Sequence, residues 1–297
     1  MRLLNLNRTA VLTVLCSKAT SSVALSNETS SRMFASSRLL FQHLDSTEST
    51  QDVAKQTIPS LGENQILAVT ATEQTKGRGT SGREWVGLKG NVFLTVAFQS
   101  KEVPTTLTLL PLQVGILVAE RIDKLLNQVC AHNDNDDAPH HQKTSFVKLK
   151  WPNDVLLRDQ KVAGVLIESM VINGNVWLIV GIGVNLAVAP QVPQDGPNRG
   201  RPATSVQSHC TKQQLPDETA QIFATDFTEG LVQWLESPTS SSQKVLADWK
   251  KWANFGQVQL IRETNERVIP VDIKEDGQLV VRGEDGRERL LAADYLY

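Results

Sequence analysis

The segment from Asn91 to Phe98, NVFLTVAF, is apolar almost without interruption. A strand with so little polar face belongs inside a sheet covered on both sides. The flanking pattern agrees. Asp45-Ser46-Thr47 predicts a cap for a helix from about Ser49 to Ile58, and Ile66 to Val69 reads as a strand. Pro111 suits a first helical turn, and Leu112, Ile116, Ala119, Ile122 and Leu126 follow at spacings of three and four, which predicts an amphipathic helix over the sheet. Val147 to Leu149, Val162 to Glu168 and Val176 to Leu186, parted by Asn or Gly turns, complete a mixed sheet. Phe223, Phe227, Leu231 and Trp234 recur at helical spacing, as do Leu246, Trp249 and Trp252, and these aromatics read as core. Beyond Phe255 short alternating strands are broken at Asp276-Gly277 and Asp285-Gly286, which predicts a small all-β barrel. The expected organisation is a leader over 1–38, an α+β domain over 39–254 and the barrel over 255–297.

The 297 residues carry a formal net charge of -2, without the basic excess that nucleic-acid or membrane-surface partners require. Neither partner is expected, and no run approaches the roughly 20 apolar residues of a membrane span. Cys16, Cys130 and Cys210 lie far apart and form neither a disulfide framework nor a zinc spacing, so a reducing compartment is expected. His132, Asp134, Asp136, Asp137, His140 and His141 lie in a polar stretch without period, over 127–145. Their spacing matches no ligand set, so they read as a solvated loop and no metal site is expected. Residues 1–38 hold Arg2, Arg8, Lys18, Arg32 and Arg38, many Ser and Thr, and Glu28 as the one acid, which is transit-peptide chemistry. A short secretory signal over Ala10 to Cys16, a plain disordered leader and a start at Met33 are the competing readings. A cytoplasmic location is expected, with a mitochondrial or plastid matrix as the alternative.

Three segments carry chemistry. Gln74-Thr-Lys-Gly-Arg-Gly-Thr-Ser-Gly-Arg-Glu-Trp85 joins two buried strands. Its bare backbone amides and guanidinium forks fit a phosphate cradle, and an ordinary mobile turn equally well. It is neither a P-loop nor a Rossmann turn. Lys148-Leu-Lys-Trp-Pro-Asn-Asp154 fixes Lys150 at a strand end, where an ammonium stabilises developing charge or simply faces water. Gly181-Ile-Gly-Val-Asn185 ends an apolar strand; it suits close approach of a ligand and an amide that reads an adenine edge, and also a strand-end bulge.

Taken in this order, with KVAGVLIES (Lys161 to Ser169) between the last two, these segments resemble the biotin–protein ligase family, from about Phe41 to the C-terminus. The combination GRGxxGRxW, KWPND, KxAGxLxE and GxGxN carries the resemblance. It implies a class II aminoacyl-tRNA-synthetase-like catalytic domain, a mixed sheet flanked by helices, followed by an SH3-like barrel. It also implies two steps: biotin and ATP, with Mg²⁺, give biotinyl-5′-AMP and pyrophosphate, and a lysine of a biotin carboxyl carrier domain of acetyl-CoA or related carboxylases then displaces AMP. On the matched positions the resemblance implies catalytic roles for Lys150, Arg78 and Arg83. Biotin contacts are implied for Ser46, Thr47, Gln74, Gly77, Arg78, Gly79, Thr80, Gly82, Lys150 and Gly164, and nucleotide contacts for Arg83, Trp85, Asn153, Lys161 and Asn185. Two positions depart from the common pattern: Thr80 stands where bacterial members often have arginine, and Glu48 where many relatives have asparagine. No repressor activity is expected, and the oligomeric state is left open. The nearest rival is a lipoate or octanoate ligase; a noncatalytic adapter is the rival from another class.

Overall fold

The computed structural model describes residues 32–35 (backbone alone), 38–129, 146–193, 201–210, 213–261 and 264–291. Among them, eight strands form one mixed sheet: β1 (Arg32–Ala35), β2 (Leu39–Thr47), β3 (Ile66–Gln74), β4 (Val92–Gln99), β5 (Val147–Lys150), β6 (Asp154–Leu157), β7 (Gln160–Ile172) and β8 (Asn175–Val184). Their order is β1-β2-β3-β4-β8-β7-β6-β5. β2 and β3 run parallel, joined by helix α1 (Thr50–Thr57), as a parallel pair requires a crossover. The other neighbours are antiparallel.

Strand alternation explains why β4 is buried along its whole length. Val92, Leu94, Val96 and Phe98 join the larger core, which includes helices α2 (Leu110–Val129), α3 (Thr219–Glu236) and α4 (Ser242–Trp252). Ala97 turns to the opposite face, where Leu67, Val69 and Ile179 pack with Ala54 and Ile58 at α1. The period of two thus supplies two cores from one set of strands. Phe98 has no exposed surface. Phe98→Ala is expected to cost about 3–5 kcal/mol, measured as a lower urea midpoint with an unchanged slope.

The expected aromatic core is present: Phe223, Phe227 and Trp249 are buried, and Trp234 and Trp252 pack on the same cluster while partly exposed. After Trp252 come β9 (Gln259–Leu260), β10 (Arg267–Ile273), β11 (Leu279–Gly283) and β12 (Glu288–Leu291). They form an antiparallel sheet in the order β12-β11-β10-β9, consistent with an SH3-like unit; among the described residues it keeps two edges and does not close into a barrel. Trp151 fastens this unit to the large sheet, its indole Nε1 donating to the Gly277 carbonyl at 2.9 Å.

Two expectations change. The helix cap is Ser49, whereas Asp45, Ser46 and Thr47 lie within β2, because pairing of β2 with β3 continues to Gln74. Within the expected leader, Arg32–Ala35 pairs antiparallel with β2. Cys210 is disulfide-bonded and buried, where the spacing of the three cysteines predicts no disulfide framework. Cys16, Cys130, residues 1–31 and the acidic and histidine-rich stretch from 130 to 145 lie outside the described residues.

Candidate active site

Between the Gly-rich loop, the N-terminus of α1 and the face of β7 and β8 lies a cavity of about 890 Å³. That is room for a cofactor-sized ligand. Side-chain alternation builds it. In β8, Val180, Ile182 and Val184 point into the larger core, so the opposite face falls to Trp177, Ile179, Gly181 and Gly183. The two glycines leave the hollow. A Cβ at Gly181 would come within 2.8 Å of Gln51 Cδ, and one at Gly183 would overlap the Trp85 indole. Trp85 also lies against Gly164 of β7, with Lys161 Nζ 5.6 Å from the centre of its ring. The GxGxN, KxAG and GRExW signatures therefore meet in one wall.

The Gly-rich loop is shaped by two of its glycines. Gly77 is packed so closely that a Cβ would overlap the Trp85 carbonyl and the Gln74 amide. Gly82 has a φ of 70°, in the left-handed region. Gly79 differs. Its φ of -113° and ψ of -177° are ordinary extended backbone, and a Cβ there would meet nothing nearer than 3.5 Å. Arg83 folds back on the loop, its Nη2 donating to Thr80 Oγ1 at 2.6 Å and Nε to the Thr80 carbonyl at 3.1 Å. Arg78 instead grips Asp52 of α1 through two bonds of 2.6 and 2.8 Å, with Glu168 of β7 at 3.5 Å. The hydrogen bonds from Arg78 hold the Asp52 carboxyl below its ordinary value, although burial acts the other way. At about one-third exposure such a pair is worth roughly 1 kcal/mol or less, so its effect is chiefly to fix the loop against α1.

The polar corner expected from Ser46 and Thr47 sits elsewhere. Those residues pair with Glu73 and Gln74 in the sheet and do not line the cavity. Ser49, Thr50 and Gln51 do, all three buried at the start of α1. Gln74 anchors them, its Oε1 accepting from the Thr50 amide at 2.9 Å and from Thr50 Oγ1 at 3.2 Å. The chain reads S-T-E-S-T-Q from Ser46 to Gln51. The helix start predicted at Ser49 was the signal that favoured the second copy.

Lys150 lies behind the wall, its side chain 3% exposed, and does not line the cavity. Asp154 Oδ2 is 3.6 Å from its ammonium, while Asp154 Oδ1 is 2.5 Å from Lys161 Nζ. Burial pushes the Lys150 pKa down to about 8, with Asp154 opposing and Arg201, Lys161 and Arg83 assisting. Burial alone would raise the Asp154 carboxyl, but Lys161, Lys150 and Arg83 outweigh it and hold that group well below its usual range. Asn153 and Asn185 both line the cavity. Asn153 Nδ2 donates to the Val165 carbonyl at 2.8 Å and Asn185 Nδ2 to that of Thr204 at 3.1 Å. Asn185 Oδ1 is buried and, among the described residues, has no hydrogen-bond partner, so it retains an acceptor.

Of the residues expected from sequence, the cavity gathers Gln74, Arg78, Gly79, Thr80, Gly82, Arg83, Trp85, Asn153, Lys161, Gly164 and Asn185. It leaves Ser46, Thr47, Gly77 and Lys150 off its lining. Glu84 is the acid on that lining, against four cations: Arg78, Arg83, Lys161 and Arg201. A pocket so charged suits an anionic ligand. Among the described residues no group of three His, Cys, Asp or Glu side chains is placed to hold a metal, and no helix is long and apolar enough to cross a membrane.

The Biotin/lipoate A/B protein ligase family matches residues 43–185. The Leishmania major biotin protein ligase crystallised with biotin superposes with a TM-score of 0.60 at 28% identity, over 88% of this chain and 100% of that one. The same enzyme with biotinyl-5-AMP gives 0.58 at 26%, over 87% and 100%. The biotin--[acetyl-CoA-carboxylase] ligase of Paracoccus denitrificans is 31% identical over 255 residues, 84% of this chain and 98% of that protein. With the motif residues lining one cation-rich cavity and identity at this level across nearly all of the Paracoccus protein, the chain belongs to the biotin protein ligases.

Proposed function

We propose that this ligase joins biotin to ATP in the cavity behind the Gly-rich loop and then passes the biotinyl group to a lysine of a biotin carboxyl carrier domain. The observation that carries this reading is the union of a polar corner (Ser49, Thr50, Gln51 and Gln74) with the cations Arg83 and Lys161 in one cavity. The polar corner offers the donors and acceptors that a cyclic urea needs. In the first step a biotin carboxylate oxygen bonds to the α-phosphorus of ATP. The bond from that phosphorus to pyrophosphate breaks, its electron pair leaving with the pyrophosphate. Two anions must approach, so Arg83 and Lys161 at the surface and Lys150 behind them supply fixed positive charge. Asn185 and Asn153 flank the nucleotide, and Trp85 forms the wall between the two substrates. In the second step the carrier amine attacks the acyl carbon, AMP departs, and the amine loses its proton to solvent. Mg²⁺ would be held by the ATP phosphates, because among the described residues no carboxylate cluster is placed to bind it, and it would offset part of their charge. Carriers of acetyl-CoA and related carboxylases are the proposed protein substrates. A cytoplasmic location is proposed, with an organellar matrix as the alternative that the Arg- and Ser-rich leader would direct.

Exchange of labelled pyrophosphate into ATP is expected with biotin and not with lipoate, followed by labelling of a carrier domain. Exchange with lipoate alone would overturn the substrate assignment.

A further inference from the structure

Arg201 belongs to none of the four signatures, yet it lines the cavity together with Arg83 and Lys161. The backbone that follows it is held by residues that also line the cavity. Lys161 N donates to the Pro202 carbonyl at 2.8 Å, and Thr204 N donates to the Lys161 carbonyl at 2.9 Å, a parallel bridge between Lys161 and Ala203. Val206 N donates to the Asn185 carbonyl at 3.0 Å, and Asn185 Nδ2 returns to Thr204. Arg201 is therefore carried by a segment laced between the start of β7 and the end of β8. Its guanidinium donates from Nη1 to the Asp159 carbonyl at 3.1 Å. Its Nε is buried and, among the described residues, has no hydrogen-bond partner. The charge on Arg201 also reaches Lys150, whose ammonium it disfavours.

Such a cluster is repulsive when the cavity holds no anion. Arg83, Lys161 and Arg201 line the cavity with Glu84 as the acid on that lining, and Lys150 lies behind them, sharing Asp154 with Lys161. The carboxylate and the α-phosphate that react carry one negative charge each, whereas the β- and γ-phosphates carry most of the charge of ATP. That charge grows when the bond to the α-phosphorus breaks and the electron pair departs with them. With Nη1 engaged by the Asp159 carbonyl, the Nε and Nη2 edge of the guanidinium is the one left to take two phosphate oxygens.

We infer that Arg201 is a binding residue for the β- and γ-phosphates of ATP and holds the pyrophosphate as it leaves. This rests on the two-step ligase reading above. It predicts an asymmetry between the half-reactions, because pyrophosphate takes part only in the first. Arg201→Gln is expected to raise the KM for ATP about tenfold and to slow biotinyl-5′-AMP formation up to about 10²-fold. Inhibition by added pyrophosphate should weaken in parallel. Transfer from preformed biotinyl-5′-AMP to a carrier domain should stay at the wild-type rate, and Arg201→Lys should recover part of the loss. Equal slowing of both half-reactions would show a structural role and overturn the inference, as would unchanged adenylate formation. The wild-type chain run beside it tests the underlying reading separately: absence of adenylate formation there would sink the two-step scheme itself, whatever the variant did.

Discussion

Lys150→Met is expected to slow formation of biotinyl-5′-AMP by about 10³-fold while leaving the fold intact. The side chain is nearly inaccessible, so its charge acts through a poorly screened interior rather than through water. An ammonium placed there adds little to the affinity for a neutral part of biotin. It matters when the carboxylate and the phosphate come together. The fold should survive because Asp154, the acid that Lys150 neutralises, keeps Lys161 at 2.5 Å. Circular dichroism of the variant should match the parent, and single-turnover adenylate formation reads the loss. Normal turnover would show that the charge is not used.

The pH dependence provides a second check. With a pKa lowered to about 8, Lys150 loses its proton as pH rises through that value. If the ammonium is the active form, kcat/KM for adenylation falls above pH 8, approaching tenfold per unit, and Lys150→Met shows no such limb. Stability moves the other way. The unfolded lysine titrates near its ordinary 10.5, so between about 8 and 10.5 the unfolded chain binds more protons than the folded one. The contribution of this group to stability therefore rises with pH across that window. Activity falling while the denaturation midpoint rises is a pattern that general alkaline damage would not produce.

Gly77→Val is expected to weaken biotin binding by roughly 10- to 100-fold, whereas Gly79→Ala should remain within about threefold of the parent. Both glycines belong to the same loop and look alike in sequence. At Gly77 any side chain collides with the Trp85 carbonyl and the amide of Gln74, the residue that anchors Thr50. At Gly79 the backbone is one that any residue adopts, and the added carbon meets only Arg83 atoms at 3.5 Å or more. Titration calorimetry with biotin distinguishes the two. Equal losses from both variants would mean that the loop is reshaped when biotin binds.

Much of this protein was determined locally, and that part was legible. NVFLTVAF announced a strand buried on both faces because an unbroken apolar run permits nothing else in a sheet. The helices with Leu112, Ile116 and Ile122, and with Phe223, Phe227 and Leu231, follow from spacing alone. The two glycines of GxGxN sit on a strand that is otherwise apolar from Val176 to Val184, so the period of two already places both on one face.

What the sequence could not decide depended on partners far away in the chain. The choice between Ser46-Thr47 and Ser49-Thr50 turned on how far β2 pairs with β3, and on Gln74 reaching back to cap the second copy. Lys150 reads as a surface cation at a strand end until the packed fold encloses it, and its pKa then follows from burial and from charges as distant in sequence as Arg83 and Arg201. Arg201 has no local pattern at all; only the backbone bonds from Lys161 and Asn185 bring it to the cavity. Periodicity is a property of neighbours, whereas desolvation and field strength are sums over everything that surrounds a group. That is why the elements could be read from the residues and the electrostatics of the site required the assembled structure.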